Sequence, residues 1–176
     1  MTEIPDDKKF SKANLTGADF KGADLNGANF EDANLVGANF EGATLRGAAF
    51  WRANLRNANF TGADLLEAFF VLANLQNADF TGARMVYLNA KNADLTGATL
   101  ENADAMGAEM SGSILANVIF DGASLVVATL AECDLSGLDF SKAKLAGTIL
   151  MNATVNDQTK GINEAEVIFP ETIKRH

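Results

Sequence analysis

From Phe10 to Val155 every fifth residue is Phe, Leu, Met or Val, with Ala90 and Ala105 as the two exceptions. The count never slips. A strict period of five leaves few chain geometries open. On a 3.6-residue helix it would carry the apolar side chains around the axis, and on an ordinary strand its odd step would expose half of them. A solenoid that turns once per unit buries them all. One continuous register also predicts one repeat array rather than several domains.

The other places in the unit are specialised too. Two residues before each large centre, Ala fills 23 of 29 positions, and the exceptions are Leu88, Ser113, Val118, Cys133, Leu138 and Thr148. This predicts a second inward position with little room. Cys133 therefore reads as a core residue, with no neighbouring His or basic cluster in sequence to activate its thiol. The residue just before the centre is Asn or Asp at 16 of the 29 places, which suits side chains that bond to nearby backbone in turns. Of the 15 glycines, 14 lie two places after a centre, where a chain that must turn benefits from a residue without Cβ. Glycines that serve the period do not form a phosphate-cradling loop.

Units such as Ala13-Asn14-Leu15-Thr16-Gly17 and Ala18-Asp19-Phe20-Lys21-Gly22 resemble the pentapeptide repeat family, and the resemblance spans residues 8–157. It implies an all-β fold, a right-handed quadrilateral β-helix with four units and twenty residues per coil. About seven and a half coils, roughly 35 Å long at the inter-strand spacing, would follow. In that geometry Phe10, Phe30, Phe50 and Phe70 form one column and Phe20, Phe40, Phe60 and Phe80 the opposite one. Residues 1–9 are a polar N-terminal extension and 10–157 the array. Residues 158–176 read as a cap, with Asn163 and Glu166 spaced as a helix-capping pair and Ile162 and Val167 as its hydrophobic staple. A short helix from Glu164 to Phe169, ending before Pro170, is predicted. Val167, Ile168, Phe169 and Ile173 would seal the last coil or, as in some family members, join two copies into a homodimer.

Catalysis is not expected. The single histidine is the terminal His176, which leaves Ser-His and Cys-His chemistry without a base. No His/Cys cluster has metal-ligand spacing and no cofactor is implied. A formal charge of −9 opposes direct binding to nucleic acid or anionic lipid. No apolar run is long enough to span a bilayer and Met1 to Phe10 lacks the pattern of a secretory signal, so a cytoplasmic location is the expectation.

Large apolar residues at outward positions have no role in the repeat. Leu66, Val86, Met106 and Val126 follow one another twenty apart, with Tyr87 and Val127 next to them and Trp51, Phe69, Val71 and Leu72 on the adjoining side. These ten residues predict an apolar stripe that docks a protein partner. Arg46, Arg52 and Arg56 form a basic belt beside it, either a solvated band or a contact for an acidic partner. The leading expectation is a non-enzymatic interaction scaffold of the kind the family supplies in cyanobacteria and other bacteria. The alternative, implied by family members that act on DNA gyrase, is a DNA mimic using Asp19, Glu41, Asp79, Glu101, Asp121 and Asp139, a row broken by Lys21 and Lys142.

Overall fold

In a computed structural model, residues 2–5 and 7–176 are described. The five-residue unit becomes one side of a coil. The residue before each centre pairs in parallel with its counterpart twenty residues on, as in Lys9 with Asn29, Asn14 with Asn34, Asp19 with Asn39 and Asp24 with Thr44. Four units thus complete a turn. Between coils, Phe10 N–H donates to Asn29 O (2.7 Å), Lys12 N–H to Glu31 O (2.8 Å) and Asn29 N–H to Lys8 O (3.0 Å). Each corner closes when the small residue donates back to the preceding centre, Ala13 N–H to Phe10 O at 3.0 Å. The positive φ of the residue between them, 68° at Gly17, fits a type II turn. The expected side-chain support is present: Asp79 accepts from Thr81 N–H at 2.8 Å and Asn29 from Glu31 N–H at 2.9 Å.

Centres and small residues both face inward. Phe30, Phe50 and Phe70 stack nearly parallel at 4.8 and 4.6 Å, and Phe40, Phe60 and Phe80 at 4.9 and 5.0 Å. The two columns also meet edge to face, at 5.8 Å for Phe40 and Phe50, so the rings share the middle of the coil. Beyond Phe80 the core becomes mostly aliphatic. Leu88 and Ala90, both buried, exchange the large and small places of one unit.

The ends depart from the period without abandoning the ladder. After Val155 the pairings run Asp139 with Lys160, Ile149 with Ile168 and, between two short strands, β1 (Thr154–Val155) with β2 (Lys174–Arg175). The predicted helix over 164–169 is absent: residues 164–166 form a turn, and a 3-10 helix spans Pro170–Thr172. Asn163 and Glu166 do pair, at 2.8 Å. The last coil prevents propagation by using the same backbone: Glu166 O accepts from Gly147 N–H at 2.7 Å, and Ile168 N–H donates to Thr148 O at 2.8 Å. At the other end Thr2 N–H donates to Asp19 O, and Ile4 packs against the core. Met1 and Asp6 of the polar extension lie outside the described residues.

The ladder opens at one internal place. Ile114 and Asp134, and Ile119 and Asp139, do not pair among the described residues, although bridges flank them on both sides. The small-residue columns explain the opening. Where Ala38, Ala58, Ala78 and Ala98 stand in earlier coils, Val118 and Leu138 follow in succession, and Ser113 and Cys133 succeed Ala93 in the adjoining column; all nine are buried. Two oversized residues stacked in a slot built for Ala hold the coils apart. Phe120 and Phe140 remain in contact at 5.0 Å, but their planes diverge by 25°, against 2° for Phe60 and Phe80.

Candidate functional site

The outward stripe forms only in part. Leu66, Val71, Met106 and Val126 are half-buried, while Val86 is buried at 5% exposure and is not available to a partner. Coil neighbours account for this, because Leu66 and Met106 flank Val86 at the same place in the coils below and above. What remains exposed lies at the corners and beside them: Trp51, Phe69, Leu72, Tyr87 at 56% and Val127 at 49%.

Three of these residues sit in a backbone region that disfavours them. Leu72, Tyr87 and Val127 have φ of 61°, 54° and 50°, at the corner position otherwise held mainly by Gly or Asn. The cost falls on any residue with a Cβ and is greatest for β-branched Val127. Glycine in the next coil makes room for two of them. A Cβ on Gly107 would lie 2.5 Å from the Tyr87 ring, and one on Gly147 would lie 3.0 Å from Val127 Cγ1.

The arginines are largely engaged with their own rod. Arg52 forms two 2.7 Å bonds to Asp32 and covers Trp51 at 3.7 Å from the ring centre. Arg46 and Arg84 share Asp64, at 2.7 and 3.2 Å. The Asp32 carboxyl is held below its ordinary range chiefly by the Arg52 hydrogen bond. Among the described residues Arg56 alone of the belt has no ion-pair partner.

A second feature escaped the sequence reading. The opening between coils is a cleft of about 520 Å³ lined by Asn117 to Asp121 and Ser136 to Asp139, adjoining one of about 290 Å³ lined by Gly112 to Ala116, Glu132 and Asp134. Ser136 lines both, so they meet around a corner. Ile114 and Ile119 stand exposed at its edge, at 54% and 49%. The available signal was the spacing of Val118 and Leu138, twenty residues apart in one column. Cys133 lies beneath this region as a core residue: its Sγ is 3.2 Å from Met110 O, and burial pushes its thiol pKa up.

At the C-terminus Val167 is buried and Ile173 partly so, whereas Ile168 and Phe169 are exposed. No group of three or more His, Cys, Asp and Glu is placed to hold a metal among the described residues. No described helix is long and apolar enough to cross a membrane.

The family described as pentapeptide repeats matches in eight copies over residues 13–52, 53–86, 73–112, 87–122 and 119–157. The chain belongs to the pentapeptide repeat family. Among solved structures, this pentapeptide repeat protein is similar to HetL of the cyanobacterium Nostoc sp. strain PCC 7120, a protein involved in heterocyst differentiation regulation. Identity is 25%, coverage 93% of this chain and 86% of HetL, and the TM-score 0.63. It also shares its fold with QnrB1, a plasmid-mediated fluoroquinolone resistance protein, at 19% identity, 96% and 82% coverage and a TM-score of 0.55. No curated protein sequence matches it. The pentapeptide repeat protein is accordingly a right-handed β-helix solenoid, and no catalytic family is indicated.

Proposed function

We propose that this pentapeptide repeat protein is a non-enzymatic, cytoplasmic scaffold whose protein partner docks on the edge formed by Trp51, Phe69, Leu72, Tyr87 and Val127. One observation carries the reading: Leu72, Tyr87 and Val127 are large, exposed and held at positive φ. Such residues cost stability without filling the core, which points to a use outside folding. Replacing all three by Asn, which tolerates this backbone, should raise the thermal midpoint and abolish capture of the partner. Retained capture by the folded triple variant would overturn the proposal.

The second reading is a DNA-mimic modulator of gyrase. The net charge of −9 and the fold shared with a fluoroquinolone resistance protein favour it. Against it, Lys21 pairs with Glu41 at 2.9 Å and Lys142 with Asp121 at 2.5 Å, which blunts the acidic row. Titration of the purified protein into a gyrase supercoiling assay tests it directly, and unchanged supercoiling with and without a quinolone would remove it. A homodimer through Ile168 and Phe169 is compatible with either reading. Sedimentation of the wild type and the Ile168→Ser, Phe169→Ser variant reads it out, and a monomer at all concentrations would contradict it.

A further inference from the structure

One side of the rod carries a pattern of size and charge that matches its own reverse. Its outward residues stand in columns twenty apart. Lys9, Asn29, Ala49, Phe69, Asn89 and Glu109 form the first, paired in succession along the ladder. Glu31, Trp51, Val71 and Lys91 form the second, and Asp32, Arg52, Leu72 and Asn92 the third. These two are tied from coil to coil by Asp32 N–H to Trp51 O (2.9 Å), Arg52 N–H to Val71 O (3.1 Å) and Leu72 N–H to Lys91 O (3.1 Å). The two middle coils are apolar, Trp51 in one and Phe69, Val71 and Leu72 in the next. An acidic coil with Glu31 and Asp32 lies below them and Lys91 above. One coil further out the signs reverse, to Lys9 and Lys12 below and Glu109 above. Trp51, Phe69, Leu72, Lys9, Lys12 and Lys91 are all exposed.

We propose that this side binds the same side of a second copy of the chain, with the two rods antiparallel. The proposal rests on the reading of the Trp51 edge as a docking surface, and it names the occupant. A twofold axis in the contact plane, crossing the rods between the coils of Phe50 and Phe70, sets each column against itself and reverses the order of the coils. Trp51 then meets Val71 of the second copy and Phe69 meets Ala49, so a large side chain faces a smaller one at every central place. Glu31 meets Lys91 and Lys9 meets Glu109, each pair occurring twice. Arg52 faces Leu72 with its charge already matched by two 2.7 Å bonds to Asp32 and its plane 3.7 Å from the centre of the Trp51 ring. Charge selects this orientation: parallel rods would set Glu31 against Asn29 and Lys91 against Asn89, with no opposite charges brought together. Within one chain the same groups make only long, solvent-exposed ion pairs, Glu31 with Arg52 at 3.7 Å, Lys91 with Glu109 at 3.4 Å and Lys9 with Asp7 at 3.2 Å, so they exchange partners at little cost. Six coils with three outward positions each supply eighteen residues a side, close to the roughly 20 of a stable interface.

Sedimentation velocity of the full chain tests the proposal, in an Ile168→Ser, Phe169→Ser background so that the C-terminal segment does not contribute. This parent should dimerise reversibly at micromolar concentration. Glu31→Lys and Lys91→Glu, each added to it alone, set like charges against each other at two places and should weaken the dimer at least about tenfold. An equimolar mixture of the two variants should restore it, because each reversed residue then meets an opposite charge on the other chain. A misfolded variant could not give that rescue. Tyr87→Asn with Val127→Asn, changed at the corner beside the contact, should dimerise as the parent does. A monomeric parent at millimolar protein, single reversals without effect, no rescue in the mixture, or loss of the dimer in the corner variant would overturn the proposal. The scaffold reading is decided separately, by partner capture in the Leu72, Tyr87 and Val127 to Asn variant, and a monomeric parent leaves it standing.

Discussion

At the residue scale the unit assigns each position a tolerance, and departures from it are informative. Gly107 has φ of 65° and lies against the Tyr87 ring. Gly107→Ala should destabilise the protein by about 1–3 kcal/mol through backbone strain and the clash together. In a Tyr87→Gly background the steric part should vanish and leave the smaller backbone part. Chemical denaturation of the four proteins closes this cycle, and equal costs in both backgrounds would show that the ring does not press on Gly107. Replacing Val127 by Asn should instead stabilise by about 1 kcal/mol. The roles of Cys133, the repeat alanines and the turn-forming Asp residues were legible in sequence because each belongs to a column that repeats. The burial of Val86 was not. Whether an outward residue stays exposed depends on how far its neighbours twenty residues away lean over it, and position in the unit does not state that.

At the element scale a coil is stabilised by what stacks above and below it. Phe60 touches Phe40 and Phe80 face to face and Phe50 and Phe70 edge to face. Phe60→Ala should cost roughly 3–5 kcal/mol, the range for emptying a fully enclosed aromatic site. The wedge reverses the usual sign. Val118→Ala with Leu138→Ala removes buried apolar volume yet should raise the thermal midpoint, because six backbone hydrogen bonds then form. A fall comparable to an ordinary core truncation would refute the overpacking explanation. Both residues were visible in sequence as exceptions in a small column, but their effect comes from their direct succession along the axis. The C-terminal segment shows the same limit. Asn163 and Glu166 make the pair their spacing predicts, and still no helix follows, because the open edge of the last coil competes for the same carbonyl and amide groups.

At the scale of the whole molecule, cooperativity and charge set the behaviour. The carboxyls of Asp24, Asp32, Asp134 and Asp139 are held below their ordinary range, respectively by the Asn26 backbone, Arg52, Ser136 and Ser141. A lowered folded-state value means that the ionised form is favoured by folding. Their stabilising effect is thus complete above the unfolded carboxylate range, near pH 4, and is lost as pH falls through the folded values. The thermal midpoint should be flat from pH 7 to about 5 and decline below about 4. Fold and register were readable along the chain because one pattern repeats thirty times. The cleft was not, because it depends on a mismatch between two coils.

Backbone amide exchange mapped along the whole rod tests most directly whether oversized residues open an otherwise continuous ladder. Leu115, Asn117, Phe120, Gly122, Asp134 and Asp139 should exchange far faster than their counterparts Leu95, Gly97, Leu100, Asn102, Ile114 and Ile119, and should become protected in the Val118→Ala, Leu138→Ala variant. Equal protection of the two sets in the wild type would contradict it.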